Sequence, residues 1–375
     1  MQRERSPKRP SMLALCLALA LGAALATGAL VSRFTGGNPE QRYIQTYSEK
    51  FAAIARAPSQ VDVLFVGTSQ LLNDVAPAAF DPAATGDGPP VRSYNMSLVN
   101  LSYAEQERIL RDLYALPGFA PEWVVLEPTF RLGRAWANLT SARNVYFTDT
   151  AGLTNSAGLI TSTRRSAPAK AYNLFMAGIA WVIHTLDYGG LSDALFPGRR
   201  RHQRAPDIET TLARRGHSRA ESAPGEASAV PGFPERAQEA RETNLRDWRS
   251  AQNDDTRLPA SESDRYADLV ASVRARGARA VFVLPPLFRS SDPFYRERTY
   301  QFVRSAGAQP ARLPLISYLD PQRTPALYET RYWRDEKHLN GPGADLFSAR
   351  LARDLRQFAG SAGGLRSPSE PTGPR

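Results

Sequence analysis

The sequence predicts a layered α/β domain built on a parallel sheet. Three observations carry that expectation. Short β-branched, uninterrupted apolar runs stand at 61–67 ("VDVLFVG"), 122–128 ("EWVVLEP") and 278–286 ("ARAVFVLPP"), the pattern of strands buried on both faces. Helical apolar spacings separate them, so strand and helix alternate as they do in α/β layers. The bulk composition is that of a folded domain, with 42% hydrophobic and 22% charged residues over 375 positions, long enough for a sizeable core.

The elements follow in order. Residues 1–10, "MQRERSPKRP", are strongly basic, and 11–31, "SMLALCLALALGAALATGALV", form an uncharged run of the roughly 20 residues needed to cross a bilayer. A positive flank ahead of such a run keeps the N-terminus in the cytoplasm and exports the rest. The expected location is therefore the inner membrane, single-pass, with the domain on the periplasmic side. A competing reading is a signal-peptidase site at Ala24-Leu25-Ala26, which would release the protein after about Ala26. Cys16 lies within the run after Leu15, where lipidation would call for a small residue.

Residues 32–57 read as a membrane-proximal helix on the spacing of Tyr43, Tyr47, Phe51 and Ile54. The α/β domain then spans 58–358. Its first strand is 61–67, and "VRSYNMS" is a second extended segment. Ser102-Tyr-Ala-Glu105 is a capping box for a helix over "AEQERILRDLYAL", and 122–128 is the third strand. Tyr266, Leu269, Val270 and Val273 mark one helical face, Gly277 stops that helix, and 278–286 follows as another strand. An amphipathic helix bearing Phe347, Leu351, Leu355 and Phe358 closes the domain.

An insertion at about 131–260 interrupts this rhythm. Within it "NLFMAGIAWVIHTLDY" predicts a buried or membrane-facing helix too short for a second span. Residues 198–236, rich in Arg, Ala, Ser, Pro and Glu, predict a flexible stretch, and 359–375 a disordered tail.

Lys and Arg exceed Asp and Glu by 47 to 37, a formal charge of +10, and much of the excess sits in "RERSPKR" and "RRRHQR" (199–204). Such blocks attract anionic lipid or polymer. They lack the interleaved aromatics of single-strand binders, so no nucleic-acid partner is expected. Cys16 is the single cysteine, which excludes an internal disulfide and a Cys-rich metal site. No ligand cluster with metal spacing and no phosphate-cradling motif stands in the sequence, so no cofactor is implied.

Chemistry concentrates at "FVGTSQLLND", 65–74. Ligand sites of parallel sheets gather beyond the carboxyl ends of the strands, and Ser69 lies two residues past Gly67, at the end of the first strand. Taken alone, Ser69 reads as a polar cap for the next helix. A serine nucleophile needs an adjacent base, and the chain has only four histidines. His184 falls in the apolar central helix, whereas His202 and His217 fall in the solvated insertion. His338 lies in "RDEKHLNGPGADLFSARLARDL", with Asp335 three residues before it. A turn or 3₁₀ segment over Asp335–His338 brings the carboxylate to one imidazole nitrogen and leaves the other for a serine proton.

The pairing of "GTSQ" on the first strand with "DEKHLN" near the C-terminus resembles the SGNH (GDSL-like) hydrolase superfamily, over about residues 58–130 and 265–358. With the N-terminal anchor, the chain is similar to membrane-anchored members acting on cell-surface polymers, of the teichoic-acid D-alanylation and polysaccharide O-acetylation type. The resemblance implies a three-layer, flavodoxin-like parallel sheet with flanking helices. It makes Ser69 the nucleophile, His338 the general base and Asp335 its orienting carboxylate, with the Ser69 backbone N–H as an oxyanion donor.

The family's other oxyanion donors match less well. Ser97 in "YNMSLVN" stands where a glycine N–H is usual, and Glu127 in "LEPTF" where an asparagine is usual; Asn95 and Asn100 are the candidate replacements. The resemblance implies a serine esterase or O-acyltransferase that works through an acyl-serine on an acyl ester or envelope glycan, beside other envelope-biosynthesis proteins. The alternative is a catalytically inactive SGNH-like glycan-binding or scaffold protein.

Overall fold

A computed structural model describes residues 45–130, 142–162, 166–185, 208–218, 257–287 and 293–361, with isolated Met12, Ala23 and Glu242. The expected anchor over 11–31, its basic flank, Cys16, "RRRHQR" with His202, and residues 362–375 lie outside the described residues. Among the described residues no helix is long and apolar enough to cross a membrane.

In chain order the elements are α1 (Gln45–Arg56), β1 (Val63–Val66), α2 (Ser69–Asp74), α3 (Pro77–Thr85), β2 (Ser93–Asn95), α4 (Tyr103–Tyr114) and β3 (Trp123–Leu126). Then come α5 (Ala142–Phe147), α6 (Thr150–Ser162), α7 (Ala167–Thr185), α8 (Ile208–Ala213), α9 (Ala260–Arg274), β4 (Arg279–Leu284), α10 (Pro293–Ala308), β5 (Leu315–Ser317) and α11 (Gly341–Ser361). The chain divides into two compact units. One comprises Thr46–Arg134 and Ala205–Arg375, the other Met1–Gln45 and Ala135–Arg204.

The first unit is an α/β domain whose five strands form one sheet in the order β2-β1-β3-β4-β5, all parallel. β1 and β3 are buried throughout, as their uninterrupted apolar runs require, and the polar β2 is buried as well. Because successive strand residues face opposite ways, one set meets α3 and α11: Val63, Phe65, Val125, Val281 and Val283 pack with Phe80, Phe347, Leu351 and Leu355. On the other face α9 and α10 pack, where Tyr266 stands edge-on to Phe282 at 5.7 Å and to Phe302 at 5.1 Å.

Local chemistry sets the helix ends. Ser102 caps α4 as the capping box predicts: its N–H donates to Glu105 Oε2 at 2.7 Å, and its Oγ accepts from the Glu105 N–H at 3.4 Å. Gly277 takes φ +86° just past α9, where a side chain would be strained. β5 is the strand that the sequence pattern missed; three residues are too few for a periodicity to register. α11 extends to Ser361, three residues into the expected tail.

The expected flexible stretch 198–236 needs correction over 208–218. Here α8 is followed by a turn that lies against the sheet edge and α2. The Asn95 N–H donates to Arg215 O at 2.9 Å, the Ser218 N–H donates to Leu72 O at 3.1 Å, and Arg215 pairs with Asp81. His217, expected in solvent, is buried with Nε2 2.9 Å from Asn73 O. β2 is an edge strand whose main-chain groups need partners, and this polar segment supplies them. Gly216, at φ +85°, passes so close to Asn95 O that a Cβ has no room.

Lys50 on α1 is fully buried, and its Nζ donates to Asn95 O at 2.9 Å and Ser97 O at 2.8 Å. Burial lowers its pKa to about 7. The unfolded chain therefore holds a proton at Lys50 that the folded chain has lost between about pH 7 and the ordinary lysine value near 10.5, so this residue makes stability rise with pH across that window. Urea unfolding at several pH values is expected to show a positive slope approaching 1.4 kcal/mol per pH unit, at about the one-proton limit. Lys50→Met is expected to abolish that slope.

In the second unit, α5, α6 and α7 form a small helical group. His184 Nδ1 lies 3.0 Å from Val145 O, and Trp181 Nε1 donates to Thr150 Oγ1 at 3.3 Å. His184 is thus a helix-packing residue, as expected.

Candidate active site

β1 ends at Val66, Gly67 turns the chain, and Thr68 rather than Ser69 caps α2, its hydroxyl accepting from the Gln70 N–H. That leaves the hydroxyl of Ser69, the first residue of α2, free of capping and half-buried. Ser69 and Glu127 follow the ends of β1 and β3, adjacent strands at the point where the strand order reverses, the location of ligand crevices in parallel sheets.

The loop carrying His338 is built by the side chain of Asp335. Its Oδ1 accepts from the Lys337 N–H at 2.9 Å and the His338 N–H at 3.0 Å, an Asx-type turn, the first of the two expected forms. Arg334 N–H donates to His338 O at 3.0 Å, and Trp333 bridges to Leu339 across the loop. Trp333 is fully buried with its Nε1 on Leu327 O at 2.7 Å, so the loop stands on a fixed base.

The loop and the Ser69 turn meet. His338 Nε2 lies 2.9 Å from Ser69 Oγ, and His338 Nδ1 lies 2.9 and 3.0 Å from the two oxygens of Asp335. With the Nδ1 proton on the Asp335 side, Nε2 is left to accept from the serine hydroxyl. Burial works against the charge on Asp335, but the His338 hydrogen bond and charge, the Lys337 N–H and Arg334 together hold its carboxyl well below the usual range. The three residues paired from sequence thus form a continuous relay.

Asp74, which sequence reasoning missed, ties the two halves together. Its Oδ1 accepts from the Leu339 N–H at 2.9 Å, next to His338, while Oδ2 is buried with no hydrogen-bond partner. Burial pushes its pKa well above the ordinary value, opposed by the Leu339 N–H and reinforced by the charge of Glu127. The shift favours the uncharged form of the acid that holds the histidine loop through the Leu339 N–H. Nothing in the sequence around Asp74 marks this role, because its partner lies 265 residues away.

The expected pocket residues fall elsewhere. Asn95 gives both amide protons to main chain, to Leu71 O at 2.7 Å and Val75 O at 2.9 Å, so it has none for an oxyanion. The Ser97 N–H donates to Asn95 Oδ1 at 3.1 Å, and its Oγ is buried without a partner. Asn100 sits exposed in a left-handed turn at φ 57°. Glu127 is fully buried and accepts from the Thr68 N–H at 2.7 Å, the Thr68 hydroxyl at 2.6 Å and the Leu71 N–H at 3.4 Å. It holds the turn that carries Ser69. Gln106 ties the ends of the same two strands, donating to Val66 O at 3.2 Å and Glu127 O at 2.7 Å.

The Ser69 N–H, the expected oxyanion donor, meets no acceptor among the described residues. No protein-family model matches the chain, and no curated protein matches it.

Proposed function

We infer that the domain is a serine esterase or O-acyltransferase of the SGNH (GDSL-like) hydrolase type. Its all-parallel sheet of order 2-1-3-4-5 fits the flavodoxin-like, three-layer arrangement of that superfamily. The observation that carries the reading is the relay Ser69 Oγ–His338 Nε2, His338 Nδ1–Asp335, assembled from two segments far apart in sequence.

In the first half-reaction Ser69 Oγ attacks the acyl carbonyl carbon and its proton passes to His338 Nε2. Asp335 stabilises the resulting imidazolium, and the Ser69 N–H donates to the developing oxyanion. Collapse expels the leaving alcohol, which takes the proton from His338 and leaves acyl-Ser69. Water or a sugar hydroxyl then gives its proton to His338 and attacks the acyl carbon, releasing acid or a new ester and restoring Ser69. An expected place at the inner membrane favours an envelope or extracellular polysaccharide as substrate, with the domain on the extracytoplasmic side.

A second reading, a non-catalytic glycan-binding or scaffold protein, is favoured by one observation: the Asn95 amide and the Ser97 N–H are both spent within the fold. Intact-mass detection of covalent labelling by a fluorophosphonate separates the two. Labelling of the parent that is lost in Ser69→Ala and His338→Ala is the expected result. A folded parent that takes no label overturns the catalytic reading in favour of the scaffold.

A further inference from the structure

Among the described residues α7 is covered on one side only, and its other side is apolar. Asn173, Ala177 and Ala180 are buried, and His184 meets Val145 O on the same side. At 100° per residue the opposite arc carries Ala171, Tyr172, Phe175, Gly178, Ile179 and Val182. Tyr172 is 62% exposed, Phe175 65% and Val182 41%, and the arc contains no charge. A helix apolar all round is stable only when its outer face is covered.

We propose that this outer face of α7 docks onto an anionic lipid surface. Residues 150–186 contain no Asp or Glu but do contain Arg164, Arg165 and Lys170, a charge pattern complementary to anionic headgroups. Aromatic and aliphatic side chains on one arc suit the boundary between headgroups and acyl chains. The Tyr172 hydroxyl is the single side-chain polar group that the named arc residues offer a protein partner, whereas lipid requires none. The run at 11–31, as an anchor, would hold the chain beside a membrane and raise the effective concentration of lipid at α7. The docking is independent of the acyl chemistry.

The test uses the full-length chain with Cys16→Ala and one nitroxide-labelled cysteine at a time: Phe175→Cys, Val182→Cys, or Gln322→Cys, an exposed control on the α/β domain. Each is reconstituted in vesicles of phosphatidylethanolamine and phosphatidylglycerol. Collision of the label with oxygen and with a water-soluble nickel chelate is read by power saturation. Labels at 175 and 182 are expected to shift from nickel to oxygen accessibility relative to 322, and to lose that shift in phosphatidylcholine alone. Nickel accessibility equal to that at 322 would place the face in water and overturn the proposal. Protection from both reagents would mean that protein covers it, and an undiminished shift in phosphatidylcholine would overturn the anionic assignment.

Discussion

Exchanging Asp335 for asparagine is expected to slow acylation of Ser69 by about 10³–10⁴-fold, with the fold retained. The asparagine oxygen can still accept from the Lys337 and His338 N–H groups that shape the loop. What changes is one of the two groups facing His338 Nδ1: an amide N–H replaces Oδ2 at 3.0 Å while Oδ1 stays at 2.9 Å, and the negative charge is lost. The imidazolium formed when His338 takes the Ser69 proton across 2.9 Å then has no facing anion, and the amide N–H favours the tautomer with the proton on Nε2, which cannot take it. The time course of fluorophosphonate labelling, followed by intact mass, checks the rate. A labelling rate within threefold of the parent would remove Asp335 from the relay.

The same substitution has a signature in stability. Asp335 is held below the usual carboxylate range in the folded chain, so it contributes stability above the unfolded value, and that contribution is lost as pH falls through the depressed folded value. The parent is therefore expected to exceed Asp335→Asn in urea resistance at neutral pH, and the gap is expected to narrow on acidification below about pH 4.

The parts of this site that were legible in the sequence are those whose chemistry is local or scarce. Val63–Val66 and Trp123–Leu126 show as strands because a strand buried on both faces must be apolar throughout. With only four histidines in the chain, the one with a carboxylate three residues before it stood out. Residues whose roles come from distant partners were not legible. Asp74 meets Leu339, Lys50 meets the carbonyls beside β2, and His217 is buried through main-chain hydrogen bonds in a stretch whose composition reads as solvated. Asn95 and Ser97 were misassigned for a related reason. An amide or N–H looks available in a sequence until its acceptors in the fold are known, and here Leu71, Val75 and the Asn95 side chain use them.

Glu127→Ala is expected to be among the most destabilising single substitutions in the domain, lowering stability on the order of 3 kcal/mol or more by urea unfolding. It removes the acceptor of the Thr68 N–H, the Thr68 hydroxyl and the Leu71 N–H, groups that are buried and have no water to turn to. Relief of the buried charge offsets part of this loss. Glu127→Gln separates the two effects: its oxygen can still serve the N–H groups, and its amide can donate to Thr68 Oγ1.

Gly67→Ala attacks the same contact from the other side. An added Cβ would stand 2.6 Å from Glu127 Oε2 and 2.7 Å from both Glu127 Cβ and Leu71 Cδ1, so the carboxylate or the turn must shift, at about 1–3 kcal/mol. Since that turn delivers Ser69 to His338, Gly67→Ala is also expected to slow labelling of the folded protein. A loss of stability confined to Glu127→Ala, with Glu127→Gln close to the parent, would assign the role of Glu127 to hydrogen-bond acceptance. Equal losses in both would assign it to the charge.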